Sequence, residues 1–187
     1  GGKAFLVVPD GIFNRISDFK LRAFILKECY LDCIVSLPKK AFYSTPKKTY
    51  ILGITKKNDP SNFQDEPVFS YIVPKTGETL DANRFDDEND LPKMVKMFKI
   101  FSAEPNDYKP EDLKCKIWPI SRFDPKEHWS IDRWWTNKER VDLGIDDDKT
   151  ITTPDEFSIL LEEHQQLVRS SLERLKKIEN ELPKIEN

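Results

Sequence analysis

Two stretches near the start of this 187-residue chain carry side chains suited to chemistry, one joining aromatics to lysines and the other setting an acid just past a strand end. The first is AFYST, residues 41–45, where Phe42 and Tyr43 stand between Lys39 and Lys40 on one side and Lys47 and Lys48 on the other. Lysines flanking an aromatic loop on both sides suit phosphate contacts, and they equally serve as solubilising charge. Phe42 follows a strand end, on a loop at the sheet edge where strand packing needs no aromatic; the alternative makes it a plug in the core beneath the next strand. The second stretch is VPDG, residues 8–11. Its Asp10, followed by Gly11, stands where open α/β sheets place ligands, just past the carboxyl end of a strand, or it caps a turn. Net charge is -3, but its distribution is uneven. Residues 1–60 hold 11 Lys/Arg against 5 Asp/Glu and the remaining 127 hold 19 against 28, so the positive surface accompanies these two stretches.

Other chemistries find no support. The sequence has no Gly-x-Gly loop, no Walker lysine loop, no zinc-deaminase pattern and no nucleophile elbow, and its two histidines are His128 and His164. Cys29 and Cys33 are four apart with no second pair, which argues for buried thiols, with Cys115, rather than a zinc site. Asp146 to Asp148 lack the alternating oxygen ligands and final Glu of a calcium loop. Trp118, Trp129, Trp134 and Trp135 lie among Arg122, Arg133, Lys138 and Arg140. They suit stacking on bases, or they anchor an irregular segment onto neighbouring structure.

The elements that must position these residues are legible as apolar runs. Residues 4–8, 31–37 and 49–55 are strand-length runs without strict alternation, the pattern of strands covered on both faces. A helix starting near Ser17 carries Phe19, Ala23, Phe24, Ile25 and Leu26 and connects the first two as a strand, crossover, parallel strand unit. Residues 38–48 are too short and too polar for a second crossover, which predicts an antiparallel third strand. One crossover helix covers one face only, so the free edge and the bare face imply that further sequence precedes Gly1. Downstream, residues 68–73 read as a strand, Gly77 as a turn, and Leu91, Met94, Val95, Phe98 and Phe101 as the apolar face of a helix that packs back on the α/β segment. Thr153, Pro154, Asp155 and Glu156 open a long helix. A heptad seam runs through Phe157, Leu161, His164, Val168, Ser171, Leu175, Ile178, Leu182 and Ile185, with Pro183 ending or kinking it. No stretch approaches 18 apolar residues, and the apolar start lacks the small-residue exit of a signal peptide; both favour a cytoplasmic location without a membrane.

GGKAFLVVPDGIFNR followed by LRAFILKECYLDCIVSLPKKAFYSTPKKTYILGITKK resembles the downstream half of the catalytic domain of N6-adenine DNA methyltransferases of restriction-modification systems, the type I modification subunit or the methylase part of fused type II enzymes. GETLDANRFDDENDLP is similar to the family's post-catalytic segment, and SRFDPKEHW to the entry into a target-recognition region. The resemblance implies an α/β fold: the downstream half of a Rossmann-like class I methyltransferase sheet ending in an antiparallel strand, followed by a mixed linker region and a long C-terminal helix. Its divisions are residues 1–101 for the methyltransferase part, 102–152 for an aromatic-rich connector or the start of target recognition, and 153–187 for the heptad helix.

The implied activity is transfer of a methyl group from S-adenosyl-L-methionine to N6 of a flipped adenine in duplex DNA, by direct attack with no covalent intermediate and no metal. Alignment supplies the rate. Phe42, with Tyr43 beside it, matches the aromatic that receives the extruded base. Val8, Pro9, Asp10 and Gly11 match the pocket floor, and Lys39, Lys40, Lys47 and Lys48 are expected on backbone phosphates. Where many relatives have Thr-Gly-Ile-Pro-Thr, this chain has Thr45, Pro46, Lys47, Lys48 and Thr49. The family's glycine-rich cofactor loop and its catalytic Asn/Asp-Pro-Pro-aromatic motif do not occur in the 187 residues. The resemblance therefore assigns no catalytic residue here, places most of the cofactor's contacts upstream, and expects these residues by themselves to be inactive. Expected partners are double-stranded DNA and a specificity subunit or fused recognition domain docked on residues 153–187. The alternative is a non-catalytic module for subunit assembly or DNA interaction.

Overall fold

The apolar run after Gly2 forms strand β1 (Lys3–Pro9), and Asp10 turns the chain into a one-turn helix, α1 (Gly11–Asn14). A 3-10 turn at Ile16–Asp18 leads into α2 (Phe19–Glu28), which delivers the chain to β2 (Cys29–Ser36). Then follow β3 (Thr49–Lys56), β4 (Val68–Ile72), the short strands β5 (Thr76–Glu78) and β6 (Asp86–Asn89), helix α3 (Leu91–Ala103), β7 (Cys115–Trp118) and α4 (Asn137–Asp142). This computed structural model describes residues 1–145 and 154–181, in two units, Gly1–Asp147 and Asp148–Asn187.

The main sheet has the order β1-β3-β2-β4-β7. As expected, β3 is antiparallel, but it pairs with both β1 and β2. The two strands joined by α2 therefore run parallel without being neighbours, which corrects the simple parallel pair. Gly53 shows what this insertion requires: it faces Phe5 on one side and Cys33 on the other. A Cβ there would lie 2.5 Å from the Cys33 Sγ and 2.9 Å from the Phe5 ring, so only glycine lets the neighbouring strands pack over it.

Side chains alternate between two cores. On one face Ile34, Leu52, Val68 and Ile72 pack with Phe13, Ile25, Trp129 and Ile131. On the other, Val35, Phe69 and Tyr71 pack with Met94, Phe101 and Cys115. Helix α3 covers this second face, with the Phe98 ring 5.4 Å from Phe69 and 5.8 Å from Phe5. The expected bare face is thus covered over β2 and β4 from within the chain. At β1 the expectation of burial on both faces is not met among the described residues: Phe5 and Val7 on this face and Leu6 on the other are 54%, 55% and 46% exposed, because little packs over the edge strand.

Two further differences come from polar groups. In α2 the large apolar Phe24 is exposed while Arg22 is buried; its guanidinium donates to the carbonyls of Ile12 (2.7 Å), Pro125 (2.8 Å) and Arg15 (3.0 Å). Burial lowers its pKa, with Asp18 opposing, and three acceptors compensate for lost water. Within residues 102–152, read as an aromatic-rich connector or the start of target recognition, the described part supplies the fifth strand and the core residues Trp129, Ile131 and Trp135. The buried Trp129 and Trp135 indoles donate to the carbonyls of Asp124 and Leu113, so these two tryptophans anchor the segment and do not stack on bases.

In the second unit, α5 spans Pro154–Glu181. Leu161, Val168, Leu172 and Leu175 are exposed on it. The expected cap at Thr153 and the end of the seam at Leu182, Pro183 and Ile185 lie outside the described residues. Among the described residues, no helix is long and apolar enough to cross a membrane.

Candidate nucleic-acid interface at the carboxyl ends of the parallel strands

Strands β1, β2 and β4 run in one direction and end together, at Pro9, Ser36 and Ile72. Beyond these ends the chain turns into α1 after β1 and into loops after β2 and β4, and among them lies an open cavity of about 780 Å³. Asp10, Lys39, Lys48, Tyr50, Asp132 and Arg133 are among its lining residues. A cleft at this end of an open α/β sheet is where the fold places ligands.

A polar network ties the cavity floor to the 3-10 turn Ile131–Trp134. The Tyr50 hydroxyl donates to Asp132 Oδ1 at 2.5 Å and lies 3.3 Å from Asp10 Oδ1; having one proton, it is committed to Asp132. Ser130 Oγ donates to the same Asp10 oxygen at 3.3 Å, and the Asn14 amide donates to the other. Burial, reinforced by Asp132, pushes the Tyr50 phenol far above its usual range, so it is a neutral donor. Lys48 Nζ sits 3.9 Å from Asp132 and 5.6 Å from the Tyr50 ring centre. Burial lowers the Lys48 pKa, and Asp132 and Asp10 act against that fall.

The aromatic loop leads away from this floor. Thr45 N–H donates to the Phe42 carbonyl at 3.2 Å and the two residues bridge, which leaves Tyr43 and Ser44 at the tip of a tight turn. Phe42 is 40% exposed and belongs to neither core, and Tyr43 is 83% exposed. Before the turn, Lys40 has φ 62, the left-handed region that non-glycine residues avoid. The Arg84 guanidinium, from the connection between β5 and β6, donates to the Lys40 carbonyl at 2.7 Å and the Ala41 carbonyl at 3.2 Å.

The sequence-derived residues thus divide. Asp10, Lys39 and Lys48 meet at the cavity, while Phe42 and Tyr43 project on the turn. Lys39, Lys40 and Lys47 are exposed, whereas Lys48 is held within the protein by Asp132. Val8 is buried in the core beneath the floor, Pro9 is exposed, and Gly11 opens α1. Sequence reasoning missed Tyr50, Ser130 and Asp132 because their meeting depends on a contact across 82 residues. It missed Arg84 for the same reason; the one available signal was an arginine inside an otherwise polar hairpin.

Known proteins place this architecture. The N-6 DNA methylase family profile matches residues 1–117, well over half the chain, and the chain belongs to that family. To that extent the earlier resemblance to N6 DNA methyltransferases holds. Two solved structures share the fold. A protein from a study of complex assembly and conformational transition of the type I restriction-modification system superposes with a TM-score of 0.55 at 18% identity, over 98% of this chain and 37% of its own. The type I restriction-modification system methyltransferase subunit from Streptococcus thermophilus gives 0.50 at 19% identity, over 68% of this chain and 25% of its own. The chain therefore spans well under half the length of either. No curated protein matches the sequence.

Proposed function

We propose that this chain forms part of an adenine-specific DNA methyltransferase of a restriction-modification system, and that it supplies the surface that receives the extruded base. One observation carries the reading: in a DNA methylase, an exposed aromatic pair stands on an ordered turn beside a cavity at the carboxyl ends of the parallel strands. Reaching N6 inside a duplex requires taking the base out of the stack, and a flat apolar surface must meet it. Phe42 and Tyr43 offer that surface. Lys39, Lys40 and Lys47 are exposed cations suited to the phosphates on either side, and Asp10 shapes the floor under the base.

S-adenosyl-L-methionine is the methyl donor in this reading and is held chiefly by residues outside these 187. The Tyr50 hydroxyl donates to Asp132, and Asp10 accepts from Ser130 and Asn14, so these groups are spent on shaping the floor. The exposed stripe on α5 suits a specificity subunit or a target-recognition domain. The test is methyl transfer by the intact protein from labelled S-adenosyl-L-methionine to duplex DNA, with nucleoside analysis of the product. N6-methyladenine is the expected product, and unlabelled DNA would reject the reading. Calorimetry with the 187-residue chain should show no tight binding of the donor.

A further inference from the structure

We propose that Arg84 is a positioning residue for the aromatic turn: its guanidinium fork holds residues 40–41 in the conformation that presents Phe42 and Tyr43. The inference rests on the base-receiving role just given and names a residue outside the turn on which that role depends.

Three observations carry it. Lys40 adopts φ 62, which an L side chain avoids unless its surroundings impose it. The carbonyls on either side of the Lys40–Ala41 junction both accept from Arg84, at 2.7 and 3.2 Å, across more than 40 residues of sequence. The arginine is itself restrained: its side chain is only 18% exposed, and Glu78 lies 3.4 Å from Nη1. Its Nε is buried with no acceptor among the described residues, so the two carbonyls and the half-exposed Glu78 carboxylate are what compensate its burial. A lysine in its place would keep the charge but present a point where the two carbonyls need a fork.

The connection carrying Arg84 is suited to the task. It is closed on itself by the Thr79 N–H to the Phe85 carbonyl at 2.8 Å and by the Phe85 N–H to Thr79 Oγ1 at 3.0 Å. Leu80 of the same connection lines the cavity under the network. The connection thus contributes Leu80 to the cavity lining and, through Arg84, grips the root of the turn.

Amide hydrogen exchange on the intact protein reads the turn's order directly. In Arg84→Lys, exchange across residues 39–47 should accelerate about tenfold, a loss in keeping with a broken charge-assisted pair of hydrogen bonds. Extrusion, reported by 2-aminopurine fluorescence at the target base, should fall, with kcat falling more than KM for DNA rises. Lys40→Asn tests the same point independently, since asparagine accepts the left-handed region: it should slow exchange in the turn by itself and recover part of the protection lost in Arg84→Lys. If Arg84 serves only to seat the hairpin, Arg84→Lys loosens residues 76–89 and leaves 39–47 unchanged, and the proposal is overturned. If the turn loosens as expected while Phe42→Ala methylates at the wild-type rate, the base-receiving role falls and the grip on the turn stands.

Discussion

Phe42 is the residue on which the proposed chemistry most depends, and its surroundings separate stacking from packing. At 40% exposure and outside both cores, it contributes little to the fold. Phe42→Ala should therefore leave the melting temperature close to wild type while removing a stacking surface worth about 1–3 kcal/mol per base. Methyl transfer should fall roughly ten- to hundredfold, and Phe42→Trp should restore much of it, since the turn has room for a larger ring. Thermal unfolding beside steady-state methyl transfer checks this; a large drop in melting temperature would return Phe42 to a core role. The lysines separate in the same way. Lys39, Lys40 and Lys47 are exposed, whereas Lys48 is drawn inward to Asp132. Neutralising the first three in the intact protein should weaken binding to specific and unspecific DNA alike and flatten its salt dependence, by the release of about three counterions. Lys48→Gln should instead lower stability and leave the salt slope nearly unaltered. Equal slopes for the triple variant and wild type would make the three lysines solubilising charge.

Among the elements, α4 shows how a short helix is held on the sheet. Thr136 and Glu139 form a reciprocal capping box, in which Glu139 Oε2 accepts from the Thr136 N–H at 2.7 Å, and the same carboxylate pairs with Lys116 of β7. Lys116 first, and the Thr136 amide second, hold the Glu139 carboxyl below the usual glutamate range. A carboxyl depressed in the folded state binds its proton more readily when unfolded. Its contribution is therefore complete above the unfolded value, about 4.3, and disappears as pH falls through the folded one. Glu139→Gln should lower the melting temperature near pH 7, and the gap should shrink as pH falls below about 4.3. A gap that stays constant as pH falls would show that charge at Glu139 is irrelevant to stability. The sequence analysis passed over this capping box, whereas β1, β2, β3, β4, α2 and α3 could be read because apolar runs and helical spacing are local signals. What stayed hidden was long-range or polar. That β3 slides between β1 and β2 depends on pairings no local pattern records. The β5–β6 hairpin, TGE against DDEN, has no apolar alternation to betray it. Arg22 is charged, and only the convergence of three carbonyls explains why it is buried where Phe24 is not. The site followed the same rule: the aromatic turn and its lysines could be read, while the Tyr50 to Asp132 network and the hold of Arg84 could not.

At the scale of the whole molecule, the sheet is covered over its central strands and open at β1, on both faces and along the edge. On its far side β1 presents a row of backbone groups without a strand partner among the described residues, flanked by the exposed side chains of Phe5, Leu6 and Val7. Long apolar edges of this kind template pairing with another chain, and proteins usually blunt them with charge, proline or cover. Lys3 and Pro9 stand only at the ends of β1. The 187-residue chain should therefore self-associate as its concentration rises, with the mass from light scattering climbing above the 21.9 kDa of one copy. Val7→Lys places a charge in the middle of the edge at a position that is 55% exposed. It should return the mass to one copy while changing stability by no more than about 0.5 kcal/mol, the usual range for a surface substitution. Phe5 is unsuitable for this test because its ring packs edge-on against Phe98. The competing source of association is α5, where Leu161, Val168, Leu172 and Leu175 are also exposed. Val168→Glu, with Val7 intact, distinguishes the two: association that survives Val7→Lys and disappears in Val168→Glu would assign it to the helix and leave the edge of β1 without the proposed tendency.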